Sequence, residues 1–227
     1  MINRILIFLL ILVSPFYILE AQTIRFKGKE FSLSHVKASV VQLNGEEVLR
    51  VVRDMDSFPF EKGVDEPTFV KLTDLDLENG SVEVKVLSRL LPNAPAFARG
   101  FIGLAYRINA DNSAYESIYI RPTNGRAEDQ IRRNHSIQYY AYPEYKFDRL
   151  RKEFPEQFET YADMGLDEWI TMRVEFKDKS AKLYLNGQEQ PAFLVKEMLG
   201  SSKTGSIGLW VEVGTEGFFK ELKINQD

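Results

Sequence analysis

The sequence predicts an all-β protein built as a two-sheet antiparallel sandwich. Three observations point there. Apolar and polar residues alternate with period two in segment after segment, tight-turn dipeptides such as Asn44-Gly45 and Asn186-Gly187 punctuate those segments, and no long stretch carries a helical apolar period.

The elements follow in order. Residues 40–52 read as a hairpin, because Asn44-Gly45 can adopt the positive φ angles of a tight turn between two Val-rich arms. Residues 81–90 set Val82, Val84 and Val86 on one face and Glu83 and Lys85 on the other. Residues 101–108 alternate again, with Ile102, Leu104, Tyr106 and Ile108 opposite Gly103, Ala105 and Arg107. Asn109 to Ser113 then turn the chain into a strand over 115–121. Between 143 and 167 the alternation fails, and a short helix is expected around 148–153, stopped before Pro155. Ile170, Met172, Val174 and Phe176 share one side of a strand that turns at Lys177 to Ser180 and returns over 181–185. Strands over 206–213 and 218–224 close a domain expected to span residues 22–227.

Ahead of it, Arg4, the apolar run from Ile5 to Val13, the break at Pro15 and the small residue Ala21 read as a secretion signal over residues 1–21. The run is too short for a membrane span of about 20 residues, so a periplasmic or secreted protein without a stable membrane anchor is expected. The chain has no cysteine, which excludes disulfides and a lipid-modified cysteine. With 29 Lys and Arg against 33 Asp and Glu the net charge is −4, a poor match to nucleic acid, whose binders need a basic face. No zinc-ligand spacing, phosphate loop or serine nucleophile elbow occurs, so neither a metal nor a cofactor is expected. Asp74, Asp76 and Glu78 share one face of an extended segment, but Gly80 falls one position late for a calcium loop and Lys85 stands where its last glutamate would be.

The segment from Tyr115 to Tyr140 carries the chemistry. It gathers Arg121, Arg126, Arg132 and Arg133 with tyrosines, carboxylates and His135 in one connection. It is either a binding surface or a salt-bridged loop. If Ile108 pairs with Ala114, the register sets Arg107 opposite Tyr115, Ala105 opposite Ser117 and Gly103 opposite Tyr119, all on the face turned away from the core. Tyrosine rings stack on sugar rings, arginine forks grip hydroxyls or carboxylates, and the small residues leave room above the sheet. The expected ligand-binding residues are therefore Arg107, Tyr115, Tyr119, Arg121, Asn124, Arg126, His135 and Trp210. Trp210 is either a stacking platform or an edge tryptophan packed under the connection around residues 142–161. Glycoside hydrolysis ordinarily uses two carboxylates roughly 5–10 Å apart. The candidates are Glu116, which parity turns inward, with Asp129, Glu212 and Glu216, and spacing does not choose among them. At least two of the four arginines are expected on internal carboxylates and one in the groove.

Taken together, Tyr115-Glu116, Tyr119-Ile120-Arg121-Pro122-Thr123-Asn124-Gly125-Arg126, Asp129-Gln130, Arg133-Asn134-His135-Ser136 and Gln138-Tyr139 resemble exported bacterial proteins of the concanavalin A-like lectin/glucanase superfamily, and within it the 3-keto-disaccharide hydrolase-like domains. Leu183-Tyr184-Leu185-Asn186-Gly187, the stretch from Gly205 to Trp210, Phe219 and Leu222 extend the likeness. The resemblance implies a jelly-roll sandwich with a saccharide or modified-sugar site on a concave face. The Glu-x-Asp-x-x-Glu strand signature of laminarinase-type glucanases is absent. Three readings stay open: a domain that binds and cleaves a glycoside, a non-catalytic carbohydrate-binding module or lectin, and a structural or partner-binding domain.

Overall fold

The structure is a computed structural model that describes residues 22–227; the leader expected over residues 1–21 lies outside them. In chain order the strands are β1 (Thr23–Phe26), β2 (Lys29–Ser34), β3 (Val36–Leu43), β4 (Glu46–Arg53), β5 (Phe69–Leu72), β6 (Gly80–Leu90), β7 (Ile102–Ile108) and β8 (Tyr115–Ile120). They continue with β9 (Ile137–Tyr142), β10 (Glu159–Thr160), β11 (Ile170–Lys177), β12 (Ser180–Leu185), β13 (Phe193–Val195), β14 (Ser206–Val211) and β15 (Thr215–Gln226). Three short helices, α1 (Pro122–Gly125), α2 (Gln130–Asn134) and α3 (Phe147–Glu153), sit in the connections beside β8, β9 and β10.

The strands form an antiparallel jelly-roll sandwich. One sheet has eight strands in the order β1-β2-β5-β14-β7-β8-β9-β10, the other seven in the order β13-β12-β11-β6-β15-β4-β3. The hairpin of β3 and β4 turns at Asn44-Gly45, with φ of 52° and 81°, as its residue types require. The helix expected before Pro155 is α3. Between the sheets lie Ile102, Leu104, Tyr106, Ile118 and Tyr139 of the eight-stranded sheet against Val82, Val84, Met172, Val174 and Phe176 of the seven-stranded one, all buried. Tyr106 stacks on Phe176 with ring centroids 4.8 Å apart. Among the described residues no helix is long and apolar enough to cross a membrane.

The outer face of the eight-stranded sheet is a second buried layer rather than an open groove. The expected register holds where strand pairing is regular, with Ala105 opposite Ser117 and Gly103 opposite Tyr119. Phe69, Tyr115, Tyr119, Tyr140 and Trp210 share that face and are all buried. Their rings meet at centroid distances of 4.8 Å for Tyr119–Trp210 and 5.4 Å for Phe69–Tyr115. Gly103 is what lets the layer form, since a Cβ there would fall 2.4 Å from the Ile118 carbonyl oxygen and 2.5 Å from the Tyr119 Cα. Residues 54–68 and 142–158 cover the aromatics. Trp210 Nε1 donates to the Glu66 carbonyl at 2.9 Å, and Tyr142 stacks on Tyr115 at 5.0 Å.

Arg107 departs from the expected face. The β7–β14 register shifts between Ser206 and Gly208, so Tyr106 and Arg107 together stand against Ile207, and Arg107 takes a φ of 52°. The bulge reverses the alternation. The Arg107 guanidinium lies over Phe176 on the inter-sheet side and Nε donates to the Glu78 carbonyl at 2.9 Å. Arg107 and Tyr119 thus occupy opposite sides of the sheet.

Candidate functional site

A cavity of about 260 Å³ opens at the end of the aromatic layer, where the covering segments stop short of β7 and β8. Phe101 and Tyr119 lie side by side within it, their rings meeting edge to face at 6.1 Å. Phe147, the first residue of α3, with Phe97 and Val64 supply apolar walls, and Arg99, Arg121, Asn124, Arg132, Arg151, His135, Asp65 and Glu212 complete the lining. Chain parity explains the arrangement: Phe101, Gly103 and Tyr119 share the outer face, and Glu212 continues the side of β14 on which Trp210 lies.

Arg121 is buried and its guanidinium is committed to internal acceptors. Nη1 donates to the His135 carbonyl at 2.9 Å and to Glu159 at 3.0 Å, while Nη2 donates to the Tyr119 hydroxyl at 2.8 Å and to Gln138 at 3.1 Å. Glu159 also receives Arg151. Although burial pushes its pKa up, Arg151 and Arg121 outweigh that and hold Glu159 below the usual carboxylate range. His135 is lowered, chiefly by burial, and its Nδ1 lies 2.9 Å from Glu159. Asn124 donates to the His135 carbonyl at 3.1 Å, which ties α1 to the turn after α2.

Two carboxyls share the cavity. Asp65, at a φ of 55°, accepts from the Phe147 backbone N–H at 2.8 Å; burial nonetheless pushes it up to about 6. Glu212 is paired with Arg53, their side chains 2% and 1% exposed. Burial raises Glu212 against the opposing pull of that guanidinium, and its Oε2 has no hydrogen-bond partner among the described residues.

Of the residues expected from sequence, Tyr119, Arg121, Asn124, His135 and Glu212 therefore meet in this cavity. The others do not. Tyr115 lies deeper in the aromatic layer, its hydroxyl 3.1 Å from that of Tyr140. Trp210 is wholly buried, so it packs under the covering segments instead of offering a stacking platform. Arg126 is on the surface in a fork to Asp163 and beside Glu168. Asp129 caps α2 by accepting from the Arg132 N–H at 3.1 Å. Glu216 lies on the outer face of the seven-stranded sheet, paired with Arg50 at 2.6 Å.

Glu116 does point inward, but at the far end of the sandwich. It accepts from the Tyr139 hydroxyl at 2.5 Å and the Gly200 N–H at 3.0 Å, and no arginine pairs with it among the described residues. The four candidate carboxylates thus do not form one cleft. Asp65, Phe97 and Arg99 were missed because they stand in segments without a periodic pattern, and Phe101 and Phe147, at the starts of an expected strand and helix, because their meeting with Asp65 depends on connections distant along the chain.

Two of the four arginines are held by carboxylates, Arg121 by Glu159 and Arg126 by Asp163 and Glu168, and not by Glu116, Glu128 or Asp129, the ones nearest in sequence. Arg133 rests on Tyr161 and donates to its hydroxyl at 2.8 Å. Arg132 lines the cavity.

Burial pushes Glu116 up to about 7, with the Tyr139 and Gly200 hydrogen bonds and the Arg107 charge pulling the other way. A folded-state pKa above the unfolded value means that the native protein keeps a proton the unfolded chain has released. The Glu116 contribution to stability is therefore complete below about 4.5 and is lost as pH rises through about 7. Glu116→Gln is expected to flatten this part of the stability profile, by a few kcal/mol at most since one pKa unit is worth about 1.4 kcal/mol. Urea unfolding of both proteins from pH 4.5 to 8 checks it, and parallel profiles would show that Glu116 is not the titrating group.

No protein-family model matches the sequence, and no curated protein does. Among solved structures, the chain is similar to a carbohydrate-binding module of Bacillus subtilis, CBM66, with a TM-score of 0.54 at 9% identity over 86% of this chain and 97% of that one. It is also similar to a Bacillus subtilis protein of unknown function with a galectin-like fold, with a TM-score of 0.50 at 9% identity over 85% and 87% of the two chains. At these identities the likeness is one of fold.

Proposed function

We propose that this protein is an exported carbohydrate-binding domain whose ligand enters the cavity over Phe101 and Tyr119. The observation that carries the reading is the cavity's composition. Aromatic rings face a wall of arginine, asparagine and carboxyl groups, which is the pairing of apolar surface and oriented polar groups that a sugar ring needs. Its volume is just below the roughly 300–1,000 Å³ usual for small-molecule sites and suits one terminal sugar residue. The jelly-roll fold and the resemblance of the segment from Tyr115 to Tyr140 to sugar-active exported proteins support it, and the leader-like residues 1–21 support export.

Phe97 is 42% exposed and meets Phe60 at 6.0 Å, forming an aromatic rim to the cavity. Phe97→Ala is expected to weaken sugar binding by about 3–10-fold, the value of a stacking contact of roughly 0.5–1.5 kcal/mol, while leaving the melting temperature nearly unchanged. Titration calorimetry with the best ligand from a glycan array checks this. An array with no hits would remove the carbohydrate reading altogether.

A second reading, glycoside cleavage, is favoured by one observation: Asp65 and Glu212 lie in the same cavity, both raised by burial. One carboxyl protonated and one ionised near neutral pH is the division of labour that general acid–base cleavage uses. Following reducing-sugar release during incubation with oxidised and unoxidised disaccharides separates the two readings.

A further inference from the structure

The charges around the cavity do not balance. Glu159 is shared by Arg121 and Arg151, and Glu212 is taken by Arg53. Asp65 accepts from a backbone N–H beside Tyr119. Arg99 and Arg132, both half-buried, then have no carboxylate partner among the described residues. Arg99 uses Nη1 on the Ala96 and Ala98 carbonyls at 2.8 Å each, and its Nη2 and Nε donate to nothing described. Arg132 reaches only neutral acceptors at 3.4 Å, on Thr123 and Asn124, and its Nη1 is unused. The two side chains feel each other: burial, then the charges of Arg132 and Arg121, lower the Arg99 pKa.

We infer that the cavity takes an acidic sugar, with the sugar carboxylate received by Arg99 and Arg132 while the ring lies against Phe101 and Tyr119. The inference rests on the saccharide reading above and names its ligand class. A neutral sugar would cover two half-buried guanidinium groups without supplying a counter-charge, whereas a carboxylate matches the planar fork and accepts the unused N–H groups. The buried carboxyls do not oppose this. Arg53 stands behind Glu212, and Asp65 sits within reach of Arg121 and Lys146, so each carboxyl already faces a cation.

The test is calorimetry of the protein against methyl glycosides of glucuronic, galacturonic and mannuronic acid, their neutral parents, and glucose 6-phosphate, at low and high salt. At least one uronate is expected to bind about tenfold or more tighter than its neutral parent at low salt and to lose that margin at high salt. Arg99→Gln and Arg132→Gln are each expected to weaken uronate binding by about 10–100-fold, the value of a charged hydrogen bond of roughly 1.5–3 kcal/mol. Both should weaken the neutral parents by a smaller factor, so that the uronate margin shrinks, and Arg126→Gln, on the surface outside the cavity, should bind like the unmodified protein. Neutral sugars binding as tightly as uronates, unaltered uronate binding by both cavity variants, or a preference for the phosphate ester would each overturn the inference while leaving the carbohydrate reading intact. Absence of binding to every sugar would overturn both.

Discussion

Arg53→Met is expected to destabilise the domain by about 3–5 kcal/mol, the usual cost of removing one partner from a buried ion pair. Arg53, the last residue of β4, belongs to the seven-stranded sheet, yet its guanidinium reaches Glu212 just beyond β14 of the other sheet. It also donates to the carbonyls of Phe58, Pro59 and Gly63 at 3.1, 2.9 and 2.9 Å, and so pins the segment that roofs the aromatic layer. Methionine fills the space of the side chain's stem, leaves the Phe58 and Gly63 carbonyls without a donor among the described residues, and leaves Glu212 with the Val213 N–H but no counter-charge. At roughly 2–4 °C per kcal/mol for a domain of this size, the melting temperature should fall by about 6–20 °C. The double variant Arg53→Met with Glu212→Leu removes both charges and should recover much of the loss. A single variant that melts within roughly 2 °C of the unmodified protein would show that the pair does not hold the roof.

Trp210→Ala is expected to cost a similar amount, about 3–5 kcal/mol, and to do so as a folding defect. Trp210 is wholly buried, with Tyr119 at 4.8 Å, Tyr140 at 5.8 Å and an indole N–H satisfied by the Glu66 carbonyl. Deletion leaves a cavity under β8 and β9 and takes the indole donor from the Glu66 carbonyl, which keeps only the Thr68 N–H at 2.7 Å and the Thr68 hydroxyl at 3.3 Å. Trp210→Phe keeps most of the ring contact and should cost markedly less. Denaturant unfolding separates this role from a ligand platform. A platform would show unchanged stability and lost sugar affinity in the alanine variant, and that result would contradict the packing described above.

Trp210 also shows why residue type alone misplaces a site. Aromatic, carboxylate and glycine neighbours on one sheet face are what a sugar groove requires, and equally what a second buried layer requires. Only the covering segments 54–68 and 142–158 distinguish the two, and they contain no periodic pattern that would announce where they pack. Arg107 failed for a different reason. Parity arguments assume unbroken pairing, and one bulge opposite Ile207 turned its side chain to the inter-sheet space.

The strands, their alternation, the Asn44-Gly45 hairpin, the short helix before Pro155 and the pairing of Gly103 with Tyr119 are local matters, decided by side-chain period and turn chemistry, and they are legible in the sequence. So is the inward direction of Glu116 and the presence of Tyr119, Arg121, Asn124 and His135 at one place, because they belong to one strand and the connection that leaves it. What the tertiary structure decided is which charges cancel. Arg121 meets Glu159, Arg53 meets Glu212, and Arg99 and Arg132 meet no carboxylate among the described residues. Those pairings join segments distant along the chain, and electrostatic balance depends on distance in space, which periodicity within a strand does not encode.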